Sequence, residues 1–295
     1  MENRPCKNTA GLKGTVPVVS LIAAVILTTA LAQINGGSFF TARFDIFRRA
    51  SEPVSADLGG SADGFEERFG IRLVKDKLVI PSAYSAEDAD GGAETAEAEI
   101  GAFLGELPDG FTKKLAEGYP GGIIIELTGG LRAREAGYID DPSALTFSYD
   151  GAKVIALDVR SGPIAPTLAH ELCHIVDERL TALAALDRSH WSESGWARLN
   201  PEGFGYYGAY MDESGLPYYV TGDAALTLEG GGGEVYFINR YARTSPSEDR
   251  AELIEALVRC GPGAYFLNCP RLRAKLDYYI EAVKYYLGFE MPPYS

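Results

Sequence analysis

Apolar residues near the middle of the chain form short unbroken runs, which is the pattern of buried β-strands. Residues 122–127 are almost entirely apolar and are followed by Gly129-Gly130, so we predict a strand that ends at these glycines. Two further runs, 145–149 and 154–157, flank the turn sequence Asp150-Gly151. That arrangement predicts a β-hairpin.

After the hairpin, the apolar residues recur at the three- and four-residue intervals of a helix. The longest such segment predicts a helix over 167–186, with one apolar face along its length. Earlier in the chain, helices are predicted over 94–107 and 111–117. Two more are predicted over 246–259 and 272–287, near the C-terminus.

Two stretches lack a regular apolar period. Residues 85–99 are rich in Ala, Glu and Asp, which predicts a solvated loop running into the first helix. Residues 191–233 are aromatic and Gly-rich, with many turn signals. The order of the predicted elements indicates an α+β fold, in which a mixed β-sheet packs on the long helix and a helical part follows at the C-terminus.

The N-terminus has a pattern of its own. Three basic residues precede an apolar run over 16–32, which ends in an Ala-x-Ala cleavage motif. We therefore predict that residues 1–34 are either a cleaved signal peptide or an uncleaved membrane anchor. Both interpretations place the rest of the chain outside the cytoplasm, as an extracellular or cell-surface protein, and the anchor would also attach it to the membrane.

Length and composition are those of a globular protein behind a linker. The chain has 295 residues, of which 46% are hydrophobic, and this is enough to bury a substantial core. Residues 35–64 are predicted to be a linker because their second half is rich in Ser, Pro and Gly. The remaining residues, 65–295, are predicted to form one domain.

The charge balance excludes one class of partner. The sequence has 41 acidic and 27 basic residues, and its formal net charge is −14. Such a surface repels the phosphate backbone of DNA and RNA, so we expect no nucleic-acid partner.

Two cysteines near the C-terminus are candidates for a disulfide. Cys260 and Cys269 flank the turn sequence Gly-Pro-Gly at 261–263. In an oxidising compartment, a short local disulfide between them is expected. The alternative is a pair of buried thiols.

The predicted long helix contains the run His170-Glu171-Leu172-Cys173-His174. Side chains four residues apart leave one face of a helix, so the two histidines can bind one Zn²⁺ ion. The adjacent Glu171 would then be placed to take a proton from a water molecule in the open coordination position. Zn²⁺ is therefore the predicted cofactor, and the alternative is a core helix that carries the pattern by chance.

A catalytic zinc needs a third protein ligand, and the residues offer several. Leu180 stands where a metzincin would have its third histidine, so that class is excluded. Glu193 and His190 follow at suitable distances, but both lie in a predicted loop. Glu248 is preferred because it opens a predicted helix, although a capping box with Ser245 would equally account for a glutamate there.

Two segments together resemble the lethal-factor-like zinc metallopeptidases, which are gluzincins. The first is 170–177, and the second is Tyr241-Ala242-Arg243-Thr244 followed by Glu248, Ala251 and Glu252. The resemblance implies a zincin-like domain with Glu248 as the third zinc ligand and Tyr241 beside the metal. It also implies that Glu252 and Asp177 support the ligands, whereas region 191–233 has no counterpart in it.

The resulting prediction is an extracytoplasmic zinc endopeptidase acting on a peptide or protein. Glu171 would be the general base, and Tyr241 would donate a hydrogen bond to the oxyanion of the tetrahedral intermediate. Two alternatives remain open. One is a catalytically inactive zincin-like surface module, and the other is an amidase acting on cell-wall peptides.

Overall fold

The computed structural model of the protein describes most of the chain beyond the N-terminus. The described residues are 64–75, 79–89, 91–135, 138–230, 233–261 and 264–291. The predicted signal or anchor segment and all of the predicted linker except Gly64 lie outside them. In this described part of the chain, no helix combines the length and the apolar character that a membrane span requires.

The described elements include both helices and strands up to residue 158 and are all helical after it. In chain order they are α1 (Phe65–Phe69), β1 (Ile71–Val74), β2 (Tyr84–Asp88), α2 (Ala93–Glu106), α3 (Phe111–Ala116), β3 (Ile123–Ala133), β4 (Ala144–Tyr149), β5 (Ala152–Asp158), α4 (Ile164–Leu183), α5 (Glu193–Ala197), α6 (Tyr218–Thr221), a 3-10 helix (Tyr241–Arg243), α7 (Pro246–Cys260), a second 3-10 helix (Tyr265–Asn268) and α8 (Pro270–Leu287). The predicted α+β fold with a C-terminal helical part is confirmed.

The five strands form one mixed sheet. Its order is β1-β3-β5-β4, and β2 pairs with β3 as well. Strands β1 and β5 run parallel to β3, whereas β4 runs antiparallel to β5 after a two-residue turn. Both turn residues, Asp150 and Gly151, have positive φ angles (45° and 76°), as a tight hairpin requires. Strand β4 is thereby an edge strand of the described sheet.

Strand β3 does not end at Gly129-Gly130 as predicted but continues to Ala133. Gly130 has a positive φ of 66°, and the Asp158 side chain accepts hydrogen bonds from the backbone N–H groups of Gly130 and Leu131. This irregular point is therefore stabilised within the strand. The extension pairs with β2, so the prediction of a solvated loop over 85–99 was wrong at its start.

Alternate residues of the central strands enter two different cores, because successive side chains in a strand point to opposite faces. On one face, Ile125 and Ile155 pack against the helices, including the buried apolar side of α4. On the other face, Ile124 and Val154 pack with Phe147 in a smaller cluster. Each fully buried aliphatic side chain contributes about 1.5–3 kcal/mol, so this packing holds α4 firmly against the sheet.

Helix α4 begins one turn earlier than predicted, at Ile164. Pro166 is compatible with this start because backbone N–H groups in the first turn of a helix have no intrahelical partner. The structure also does not form the predicted disulfide: Cys260 and Cys269 are both free. The second 3-10 helix, with the fully buried Phe266, lies between them in sequence.

Candidate metal centre

Helix α4 carries three polar side chains into a largely buried position. Its apolar residues pack in the main core, whereas His170, Glu171 and His174 contact residues of α7 and β4. His170 and Glu171 are each only 7% exposed. The two imidazole rings lie 4.9 Å apart between centroids. Because burial of a polar group is costly unless the group is paired, the partners of these three side chains define what the site can do.

Helix α7 brings a carboxylate to the histidines. Its N-terminus is capped by Ser245, whose Oγ accepts a hydrogen bond from the backbone N–H of Glu248 at 3.1 Å, and Pro246 lies in the first turn. The cap thus accounts for the backbone of Glu248 but not for its side chain. Oε2 of Glu248 lies 3.1 Å from His170 Nε2 and 3.6 Å from His174 Nε2.

The three side chains form a compact set of potential metal ligands. His170, His174 and Glu248 each offer one ligand atom, and these atoms all lie within 4.8 Å of one another. Two imidazole nitrogens and one carboxylate oxygen are a ligand set of catalytic zinc sites, which leave a further position to water or substrate. The chemistry of this donor set fits Zn²⁺.

The far side of each imidazole ring is occupied by an oxygen atom. Nδ1 of His170 lies 3.1 Å from Glu255 Oε2, and Nδ1 of His174 lies 2.7 Å from Ser247 Oγ. With a metal bound, a proton on each Nδ1 would satisfy these contacts and would leave the lone pair of each Nε2 free for the ion. Oxygen partners of this kind fix the tautomer and orientation of metal-binding histidines, and this second observation also fits a metal site.

Opposite charges stabilise the ionised form of the carboxylate. Burial by itself raises the pKa of Glu248, but the neighbouring His174 and the hydrogen bond from His170 outweigh it and lower that pKa to about 2. Burial lowers the pKa of His174. It also lowers that of His170, where the hydrogen bonds to Glu248 and Glu255 prevail and leave the pKa well above its usual value. Glu248 is therefore ionised at neutral pH, as a metal ligand must be.

Glu171 is held by the edge strand. Thr146 on β4 donates a hydrogen bond from its Oγ1 to Oε2 of Glu171 at 2.5 Å. Glu171 lies between the two histidines in the sequence, and its carboxylate contacts the edge strand β4. Thr146 was not predicted as a site residue, and a threonine in a strand gives no local signal for this contact.

Tyr241, predicted to lie beside the metal, lies next to His170. The two ring centroids are 6.3 Å apart, and the ring planes differ by 24°. Burial of the hydroxyl, followed by the nearby Glu248 carboxylate, raises the pKa of Tyr241 well above its usual value. The phenol is therefore protonated and is a hydrogen-bond donor at neutral pH. Its role toward a substrate stays a prediction.

Glu252, predicted to support a ligand, lies near Nδ1 of His170 together with a second carboxylate, that of Glu255. Oε1 of Glu252 lies 3.6 Å from His170 Nδ1, which is farther than the 3.1 Å of Glu255. Glu252 also accepts a hydrogen bond from Asn239 Nδ2 at 2.5 Å. Sequence reasoning missed Glu255, although it follows Glu248 by two helical turns and so projects from the same side of α7.

Asp177, predicted to support a ligand, pairs with an arginine of α7 rather than with either histidine. Its carboxylate is buried and accepts a hydrogen bond from Nε of Arg250 on α7. Arg250 is itself only 2% exposed and packs over the rings of Trp191 and Trp196. This ion pair joins α4 to α7 and so fixes the helix that carries Glu248 against the helix that carries the histidines.

The two other candidates for the third ligand are engaged elsewhere. Glu193 opens the short helix α5, where a loop was predicted, and its Oε1 lies 3.1 Å from Nη2 of Arg250. The ring of His190 stacks on Tyr285 at 3.8 Å between centroids. Of the three candidates, Glu248 is the one with an oxygen atom within 4 Å of both α4 histidines.

A tyrosine from the irregular region also reaches the site. The hydroxyl of Tyr210 donates a hydrogen bond to Oε1 of Glu248 at 3.2 Å. Its ring lies 6.0 Å from that of Tyr241, with the planes 26° apart. Sequence reasoning missed Tyr210 as a site residue because region 191–233 contains many tyrosines and no period that distinguishes one from another.

Comparison with known proteins adds little to this picture. No family model matches the sequence, and no curated protein matches it significantly. Among solved structures, the chain is similar to the crystal structure of a protein from Bacteroides caccae ATCC 43185 that is described as a candidate zinc-binding metallo-peptidase. The match covers 85% of this chain and 87% of that chain, at 13% identity and a TM-score of 0.42. So weak a similarity establishes neither a family nor an activity, and the lethal-factor-like resemblance stays a prediction.

Proposed function

We propose that the protein is a zinc-dependent endopeptidase in which His170, His174 and Glu248 hold the metal. The observation that supports this most directly is that both Nε2 atoms face the same oxygen of Glu248 while both Nδ1 atoms have oxygen partners. When bound, zinc would supply Lewis acidity toward water and toward a peptide carbonyl.

Glu171 is the general base of the proposed reaction. It follows His170 directly in α4, and one of its oxygens, Oε2, already accepts the hydrogen bond from Thr146. The other oxygen, Oε1, is the expected proton acceptor. After bond cleavage, the same group returns the proton to the leaving amine.

Tyr241 provides the electrophilic assistance. Its phenol is protonated at neutral pH and lies beside His170, so it can donate a hydrogen bond to the oxygen on which negative charge develops. Such donors are most effective where burial reduces the local dielectric constant, as it does for this hydroxyl.

An extended peptide is the substrate that suits the neighbouring surface. Strand β4 carries Thr146 and is an edge strand, so one of its two rows of backbone hydrogen-bonding groups is unpaired within the described sheet. A peptide can add to such an edge as a further strand. The extracytoplasmic location belongs to the same proposal and rests on the sequence pattern of residues 1–34.

The test combines metal analysis with cleavage of a degenerate peptide library. The wild type should bind about one zinc ion and cleave, whereas Glu171→Gln should keep the zinc and lose about 10²–10⁴-fold in kcat/KM. Glu178→Gln is the matched control, because Glu178 lies on the same helix but pairs with Lys153 rather than with a residue of the site. That control should retain full activity.

Other outcomes would replace the proposal. A zinc-loaded wild type that leaves every peptide intact would indicate a non-catalytic zinc-binding module. Cleavage of cell-wall amides without cleavage of proteins would indicate an amidase. Full activity of Glu171→Gln would exclude Glu171 as the base.

A further inference from the structure

The segment that carries Tyr210 is attached to the N-terminal side of α7. The backbone N–H groups of Tyr207 and Gly208 donate to the carbonyl oxygens of Arg243 and Thr244, at 3.0 and 2.9 Å. Arg243 and Thr244 directly precede Ser245, the cap of α7. Tyr210 is therefore placed by backbone contacts next to the helix turn that carries Glu248.

The ring of Tyr210 belongs to a layer of near-parallel rings. It lies 6.0 Å from Tyr241, which in turn lies 6.3 Å from His170, and the successive planes differ by 26° and 24°. Packing of this kind limits the orientations open to the Tyr210 ring. Its hydroxyl is thereby directed at Oε1 of Glu248.

The two oxygens of Glu248 have different partners. Oε2 faces both histidine Nε2 atoms, at 3.1 and 3.6 Å, whereas Oε1 accepts the hydrogen bond from Tyr210 at 3.2 Å. A carboxylate can bind a metal through one oxygen or through both. If both bound, the second oxygen would occupy space that a catalytic site leaves for water and substrate.

We propose that Tyr210 is a positioning residue that makes Glu248 a one-oxygen metal ligand. The inference deepens the proposed function and depends on its metal site. Without the phenol, Oε1 of Glu248 is free to turn toward the metal, and the coordination number rises. The Tyr210→Phe variant keeps the ring and removes the hydroxyl that donates to Glu248.

The test uses the full chain loaded with Co²⁺ in place of zinc, since visible absorption of Co²⁺ reports coordination number. A four-coordinate ion absorbs more strongly than a five-coordinate ion, so Tyr210→Phe should lower the absorption intensity while Tyr218→Phe leaves it unchanged. With zinc, its kcat should fall by about 10-fold or more, with a smaller change in KM. Tyr218→Phe is the control, because Tyr218 lies in the same segment and stacks on Tyr207 rather than on the site.

The possible results separate the two levels of inference. A wild-type protein without a Co²⁺ spectrum would overturn the proposed metal site and this proposal with it. A wild-type spectrum that is unchanged in Tyr210→Phe would overturn the positioning role alone. A change confined to Tyr210→Phe, with Tyr218→Phe like the wild type, would establish it.

Discussion

Glu248 and Asp249 are consecutive residues in the first turn of α7, both almost fully buried, yet their surroundings are opposite in kind. Consecutive side chains leave a helix about 100° apart, so the two carboxylates face different neighbours. Glu248 faces two histidines. Asp249 accepts hydrogen bonds on one oxygen from Lys275 Nζ and the Tyr206 hydroxyl, both at 2.7 Å, and from Trp196 Nε1 at 3.0 Å.

The two carboxylates differ in whether their protein partners supply both an opposite charge and a full set of hydrogen-bond donors. Lys275 pairs with Asp249, donates to the carbonyl oxygen of Tyr236 at 2.7 Å, and lies 3.9 Å from the centre of the Phe237 ring. That network provides both charge compensation and donors. At Glu248, two imidazole nitrogens face one oxygen, and a metal ion would displace the proton that His170 shares with Glu248 in the metal-free protein. The Asp249 carboxylate is therefore structural, whereas the Glu248 carboxylate has room for a cation beside it.

The largest effect is expected from breaking the structural network. Lys275→Met leaves the charge of Asp249 buried without its ion-pair partner and should lower the free energy of unfolding by about 3–5 kcal/mol. The corresponding loss in Tm is roughly 10 °C. Thermal or urea unfolding of the metal-free protein measures the change.

An exposed lysine of α8, the helix that also carries Lys275, provides the control. Lys284 pairs with Glu290 at 2.6 Å, but both side chains are about half or more exposed. Lys284→Met should therefore leave the stability close to that of the wild type. If the two variants were equally stable, the Asp249 network would not have the structural role inferred here.

The parts of this fold that could be predicted are those with a repeating apolar pattern. Helix α7 was predicted over 246–259 and extends over Pro246–Cys260, because its cap and period are both local. Strand β2 was missed for the opposite reason. Only Tyr84 among its residues is buried, so the strand depends on backbone pairing with β3 and not on an apolar face of its own.

The candidate site divides in the same way. His170, Glu171 and His174 follow from spacing within one helix, whereas the helix start left the role of Glu248 open and the family resemblance favoured it as a ligand. Asp177 lies close to them in sequence, but Arg250 from another helix binds its carboxylate, and no local pattern predicts that contact. Tyr210 and Thr146 likewise reach the site only through the tertiary fold.

The second prediction tests Glu248, the carboxylate that was compared with Asp249. Glu248→Gln removes the negative charge from the proposed ligand set and should weaken zinc binding by about 100-fold or more, measured by competition with a chelator. That loss corresponds to roughly 2.8 kcal/mol of binding free energy. The metal-free stability should change less than in Lys275→Met. Glu248→Gln removes a carboxylate, so it leaves no buried carboxylate without its ion-pair partner.

Glu193→Gln is the informative control for that experiment. Glu193 was the alternative third ligand, and in the structure it pairs with Arg250 instead. Its replacement should leave zinc affinity as in the wild type. Loss of zinc from Glu193→Gln together with retention in Glu248→Gln would transfer the ligand role to Glu193.

The smallest expected effect separates two serines at the start of α7. Ser247→Ala removes the oxygen 2.7 Å from His174 Nδ1 and should weaken zinc binding by about 10-fold, since the histidine loses the partner that orients it. Ser245→Ala removes the helix cap and should instead lower stability by about 1 kcal/mol. Chelator competition and urea unfolding of both variants distinguish the roles. Wild-type zinc affinity in Ser247→Ala would mean that α7 supplies the proposed ligand Glu248 without also orienting His174.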